Sequence, residues 1–489
     1  MKRLLASLLL PVVLCVAPAQ GQSPAPQGAP FSTAHFAAYE YGAQPQNWSA
    51  AQGAQGLMYF ANSGGILQYD GARWRLIETG TGTRVRSVAA DSQGTVYAGA
   101  GGDFGVLRPD SVGTLRYVSL AERLPSAQQD FEEVWYIHAV GGNVYFQSRS
   151  RLFRWNGDTL RSWKSEGQFH TSFAVRGRVY VRESGGRGLL RVEGDSLQVA
   201  PGGERFADKS IYLMLPHGDD DILVGRSGGT FFLYDGETFA PFSTEAAPLL
   251  EETPLYHGTM LPGGEMALAT LGGGVLIIDR AGRLVRVLQP GAALPSGTVN
   301  HVYLDDQGGL WMALNSRGLA RAEVSSPLSR FGDGFGLEGI IHDLHRHDGT
   351  LYAATGAGLY ALTERPSGAR PRHRFEKVTG APAAWSLLSN GGALYVATRG
   401  GVYRVREGRA EPLLQKQAFS LAAPESEGTG ASRPGPLYVG TADGLGVLRR
   451  TPGSPGRRFQ LLARTGREVR ATTLTDDGAL WFSTDGGGV

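Results

Sequence analysis

The segment His342-Asp343-Leu344-His345-Arg346-His347-Asp348 places five potential metal ligands in seven residues. Along a strand, alternate side chains share a face. Asp343, His345 and His347 would then lie together, with His342 opposite. A closed metal site needs further ligands from a second segment, so the run is read as a strand and no metal is expected. Glu132 and Glu133, beside Trp135, are the residue types of a glycosidase pair. Adjacent strand residues face opposite ways and would not flank one bond. Asp219-Asp220-Asp221 and the recurring Asp-x-x-Gly turns lack the alternating oxygens and closing glutamate of a calcium loop. The glycine-rich run at 98–102 is followed by no helix whose N-terminus could hold a phosphate. No Ser-His-Asp order or nucleophile elbow stands out, so the chain is expected to carry no catalytic residue and no cofactor.

What must position these residues is a repeated unit. An apolar residue, an aromatic one and a small or apolar pair recur as MYFAN (58–62), VYAGA (96–100), VYFQS (144–148), LWMAL (310–314), LYVAT (394–398) and LWFST (480–484), among eleven such places about 42 residues apart. An alternating stretch and an Asp-Gly turn precede each, as in Asp305-Asp306-Gln307-Gly308. A glycine turn and a third strand follow, as in Gly401-Val402-Tyr403-Arg404-Val405. Seventy-one glycines serve these turns. Four short antiparallel strands per unit of this length predict an all-β fold, a β-propeller. Ten complete units and part of an eleventh exceed one ring. The reading is a first propeller of about seven blades over 31–328 and a partial second of about three and a half over 329–489. The change of text at 324–339 (VSSPLSRFGDGFGLEG) marks the division.

The start, MKRLLASLLLPVVLCVAPAQ, has a basic pair, an apolar core and Ala17-Pro18-Ala19. It reads as a secretory signal peptide over 1–19. Cys15, the only cysteine, lies inside it, so an exported mature chain would have neither disulfide nor thiolate chemistry. Hydrophobic residues at 42% and charged at 19% describe a globular chain, and a net charge of +2 without a basic block argues against nucleic acid.

Propeller geometry narrows a ligand site to the ends of the innermost strands and to the turns between second and third strands on the same face. Trp48, Arg86, Asn300, His301, His342 and Trp385 stand at strand entries, and Asn62, Asn315, Arg317 and Arg399 in turns. These types hydrogen-bond and stack on sugars. The competing reading gives the tryptophans to packing and the asparagines to their own backbone. Counting back from Trp311 and Tyr352, His301 and His342 occupy equivalent positions.

The stretch YEYGAQPQNWSAAQGAQGLMYFANSGGILQYDGARW (40–74) resembles the opening of the two-component-regulator propeller proteins, and DDQGGLWMALNSRGLARAE (305–323) is similar to their repeat. The resemblance extends over the mature chain. It implies a periplasmic, ligand-sensing region of a bacterial transmembrane signalling receptor, working as a homodimer when full length. It also implies a small-molecule ligand, an oligosaccharide in the better-known members. Such receptors carry about fourteen units, an immunoglobulin-like domain, a membrane helix and an output module. The chain ends in DDGALWFSTDGGGV, half a unit, so the rest and the membrane tether are expected downstream. Residues past 469 are expected to be poorly supported. Two other readings compete: an exported propeller enzyme acting on polysaccharide, and a non-catalytic interaction scaffold.

Overall fold

The computed structural model describes residues 31–486 apart from 81, 292, 327, 329–330, 332–334, 368–369, 425–434 and 451–456. The expected signal peptide lies outside the described residues.

Alternating apolar residues and glycine turns give short strands that pair with their sequence neighbours. The strands form ten four-stranded antiparallel sheets and one two-stranded hairpin. The first strands of the opening seven sheets are Asn47–Gln52, Val85–Ala90, Tyr136–Val140, Gln168–Val175, Leu213–His217, Leu255–Met260 and Val299–Leu304. Each contacts the first strand of the next sheet, and the seventh contacts the first, so these sheets close into a ring around an axis. The fold is a β-propeller with the first strands innermost.

The seventh sheet supplies only three of its own strands. Its fourth is Thr33–Phe36, from the start of the described chain, which pairs antiparallel with Leu319–Ala322. This explains why the sequence beyond Ala322 lacks a fourth strand. Phe36 stacks on Trp311 at 5.4 Å and meets Trp74 of the first blade edge-on at 5.4 Å. Trp311 also packs on Phe60 at 5.0 Å. The seam between last and first blades is therefore an aromatic cluster. Its area burial and ring geometry both favour closure.

Elsewhere neighbouring blades pack through buried apolar side chains of their second and third strands. Phe104 stacks on Phe146 at 4.4 Å between the second and third blades. The Asp-Gly turns cap themselves: Asp305 Oδ1 accepts from the Gln307 and Gly309 amides at 3.0 and 2.7 Å. Asp305 Oδ2 accepts from Trp311 Nε1 at 2.9 Å and Arg321 Nε at 2.8 Å. These acidic turns are thus filled by their own backbone and neighbours.

Three more four-stranded sheets follow, opening with Ile341–His347, Ala384–Asn390 and Ala418–Ala422. Their first strands again contact one another in order. The final unit, Val469–Leu474 paired with Leu480–Thr484, forms a hairpin that packs on the Ala418–Ala422 strand. Residues past 469 were expected to be poorly supported. Val469 itself is fully buried there, because the first strand of a blade gains its contacts from the blade before it, whereas none of residues 470–486 is buried and Trp481 is half exposed.

Candidate functional site at the mouth of the first ring

The first strands begin with a shared irregularity. In five of the seven ring blades the register skips one residue at the strand's start, leaving Trp48, Arg86, His170, Tyr256 and Asn300 unpaired. A bulge bends the strand and re-aims the extra side chain. Trp135 and Tyr212, whose amides bond the carbonyls of Gln147 and Gly225, hold the same place one residue before their strands. A cavity of about 640 Å³ runs along the axis, and of these seven residues all but His170 line its mouth. His170 stands edge-on against Tyr212 at 5.4 Å.

At this mouth the Arg86 guanidinium lies 3.7 Å from the centre of the Trp48 ring and 4.3 Å from that of Trp135. Its Nε donates to Glu133 Oε2 at 2.9 Å. Glu133 is shared with Arg84 at 3.5 Å, and Glu132 turns away to accept from Ser150 Oγ at 2.8 Å. The two carboxylates therefore go to different partners, in the segment before the Tyr136–Val140 strand and not on a strand as expected. Tyr136, Tyr212 and Tyr256 line the same cavity, and burial raises the Tyr136 and Tyr256 hydroxyls above their ordinary range, so they stay protonated donors.

One step deeper, side chains latch several of the blades to the next. Ser49 Oγ accepts from the Val88 amide at 2.9 Å. His257 Nδ1 accepts from the Val302 amide at 3.3 Å, which places the proton of its neutral ring on Nε2. Ser87 and Thr171 hydroxyls donate instead, to Val134 O at 2.8 Å and Ile211 O at 2.9 Å. His257 and His301 stack with centres 3.9 Å apart, and His138 Nε2 bonds Ser172 Oγ at 3.0 Å. Loss of water contact, and then repulsion from His138, pushes His257 down to about 4. Burial, and then repulsion from His257 and His138, holds His301 well below the usual histidine range, and burial pushes His138 down to about 4. All three are neutral at pH 7.

The structure thus brings Trp48, Arg86, Asn300 and His301 to one channel. It does not bring Asn62, Asn315, Arg317 or Arg399 there. Asn62 is completely buried. Its amide donates to Gln44 O, Gln46 O and Asn47 Oδ1 at 2.6, 3.2 and 2.8 Å. Asn315 Oδ1 accepts from Gln46 Nε2 at 2.6 Å, at the blade seam. Arg317 and Arg399 are exposed in their turns. His342 and Trp385 are the unpaired bulge residues of the eighth and ninth sheets. Trp385 packs on Phe419 at 5.0 Å, and Arg470 covers Phe419 at 4.3 Å.

The equivalence of His301 and His342 needs correction. His301 pairs with Ala313 and Asp343 with Ala354, two residues past Trp311 and Tyr352 respectively. Asp343 therefore matches His301, and His342 matches Asn300. Asp343 Oδ2 makes the same latch, accepting from the Leu387 amide at 2.7 Å. His345 and His347 both bond Ser389 Oγ at 2.8 Å, so this face of the run is turned to the next blade. Sequence reasoning missed Tyr136, His138, Tyr212 and Tyr256. Only aligning each strand to its partner would have found them, with a one-residue bulge to allow for at Tyr256.

No protein-family model matches the sequence, and comparison with characterised proteins returned no match. Among solved structures, the chain superposes with a TM-score of 0.62 on the extracellular domain of a protein described as a hybrid two component system from B. thetaiotaomicron. The identity is 15%, covering 94% of this chain and 64% of that one. The two share a propeller fold. A second such extracellular domain from B. thetaiotaomicron gives 0.47 at 14% identity, covering 93% of this chain and 64% of that one. Virginiamycin B lyase from Staphylococcus aureus gives 0.47 at 12%, covering 60% and 98%. This chain therefore spans 64% of the length of the extracellular propeller regions it resembles.

Proposed function

We propose that this chain is the extracytoplasmic, ligand-sensing propeller region of a bacterial two-component-type receptor, and that the mouth of its first ring binds a small molecule. The observation that carries the reading is the mouth itself. Six blades each aim a tryptophan, arginine, tyrosine or asparagine into one cavity of about 640 Å³, a size and composition suited to a small ligand. The shared fold of the B. thetaiotaomicron domain supports the receptor context. The resemblance described above adds an exported, membrane-tethered homodimer and a sugar-type ligand to the proposal. Among the described residues no helix is long and apolar enough to cross a membrane.

The chain acts here as a binder rather than a catalyst. Glu133 is held by two arginines, and the channel histidines are neutral and stacked or latched. The test is a thermal-shift panel of mono- and oligosaccharides and small aromatic metabolites on the purified chain. A stabilising compound whose effect is lost in Trp135→Ala and retained in Arg399→Ala supports the mouth as the site. Turnover of any bound compound would sink the sensor reading. The receptor half is tested in the reading frame after Val489, where a membrane helix and kinase are expected; a stop with nothing related beyond it counts against that half.

A further inference from the structure

Arg86 is the strangest group at the mouth. Only 8% of it is exposed, yet its guanidinium spends a single N–H, on Nε, against Glu133. Nη1 is buried without any hydrogen-bond partner, and Nη2 has none among the described residues. Both Nη groups are therefore left without a protein acceptor among the described residues, Nη1 with almost no surface of its own, on a residue that lines the cavity. A buried donor left unmet costs about 1–3 kcal/mol, more on a charged group. Native sites retain such donors where a ligand or ordered water meets them. Cation–π contact with Trp48 and Trp135 steadies the plane of the group but satisfies none of its protons.

Glu133 is the one carboxylate facing both Arg84 and Arg86. Arg149 lies over the outer part of Trp135 at 5.3 Å and makes no ion pair among the described residues. Arg182, on the second strand of the fourth blade, is buried and gives its protons to the carbonyls of Phe206 and Ala207 at 2.9 and 2.6 Å. Asp208 is the carboxylate that acts on it, without a direct ion pair among the described residues. The hydroxyls of Tyr136, Tyr212 and Tyr256 make no hydrogen bond to the protein among the described residues and line the same space. Two guanidinium donors and three phenol donors converge on one aromatic-walled cavity, whose lining holds one arginine and, just past the end of the same strand, Asp91.

We propose that the mouth of the first ring receives a small carboxylate carried on a flat ring. This deepens the ligand-binding reading of the same site and rests on it. A carboxylate matches the paired N–H directions of an end-on guanidinium. The tyrosine hydroxyls complete its oxygen shell, and the rings of Tyr212 and Tyr256, themselves 5.8 Å apart, offer apolar faces. The pocket thereby selects for anions at the arginine and for rings at the wall.

Benzoate and benzamide, which share a ring and differ in charge, test this by calorimetric titration of the whole chain to 50 mM. Benzoate is expected to bind at least tenfold more tightly than benzamide. Arg86→Met should abolish that difference, and Arg86→Lys should restore part of it. Tyr256→Phe should weaken benzoate while leaving benzamide within twofold. Circular dichroism and thermal unfolding establish that each variant is folded. Should Arg86→Met fail to fold, the salt dependence and the Tyr256→Phe comparison decide: benzoate affinity must fall as chloride rises from 20 to 500 mM. Equal affinity for the two probes, no benzoate binding at 50 mM, or benzoate binding indifferent to Arg86 overturns the proposal. Benzamide binding as tight as that of benzoate, and lost in Trp135→Ala, would leave the pocket reading standing while the anion reading falls.

Discussion

Asn62 and the channel histidines show two opposite uses of a buried polar side chain. Asn62 is fully satisfied, with three acceptors on its amide and the Gly64 amide on its oxygen at 2.8 Å. Asn62→Ala is expected to cost about 2–3 kcal/mol in urea unfolding, because the carbonyls of Gln44 and Gln46 lose a buried donor. A change under half that would mean water replaces the amide. The histidines act through their protons. His138 and His257 are held down to about 4 and His301 well below normal by burial, whereas unfolded histidine titrates near 6.5. Between those values the unfolded chain binds more protons. The stability held by the neutral rings is complete above pH 6.5 and is lost as pH falls toward 4. The Tm is expected to fall steeply across that window, and His301→Phe should make the fall shallower. An unchanged slope in that variant would rule out His301 as a contributor.

Among the elements, the seam strand depends on a single glycine. Gly318 has φ +84°, and a Cβ there would stand 2.1 Å from the Phe36 carbonyl. Gly318→Ala is expected to cost on the order of 2–3 kcal/mol, from backbone strain and from pushing the closing strand away. Gly42, at φ +64° with nothing within 4 Å, is the control and should lose about 1 kcal/mol. Similar losses at both sites, by chemical denaturation, would show that the close approach to Phe36 is immaterial. The strands and turns themselves were legible from the aromatic second strand and the Asp-Gly turns, since both are local signals with a fixed spacing. The seam was not. Thr33–Phe36 has no partner nearby in sequence, and the 282 residues between His35 and its hydrogen-bond partner Arg317 leave no local trace. The mouth was half legible for a related reason. Trp48 and Arg86 are conspicuous as residue types, whereas Tyr212 and Tyr256 reach the cavity only through where their strands start.

For the whole molecule, closure within residues 33–322 predicts autonomy of the first ring. A chain of residues 31–326 is expected to unfold in one cooperative transition by calorimetry, with the near-ultraviolet dichroism of packed aromatics. The same chain starting at residue 37 should lose several degrees of Tm, because the third strand of the seventh blade is left as an open edge. A non-cooperative melt of the longer fragment would mean that the first ring needs the later sheets.

The seam also sets a clock. Its outermost strand is among the first parts of the ring to be made, and the strand it must join is among the last, 282 residues later by the His35–Arg317 bond. At typical synthesis rates the early strand waits roughly 15–60 s for its partner. Through that interval the six complete blades can form, and the opening segment must stay extended and unpaired.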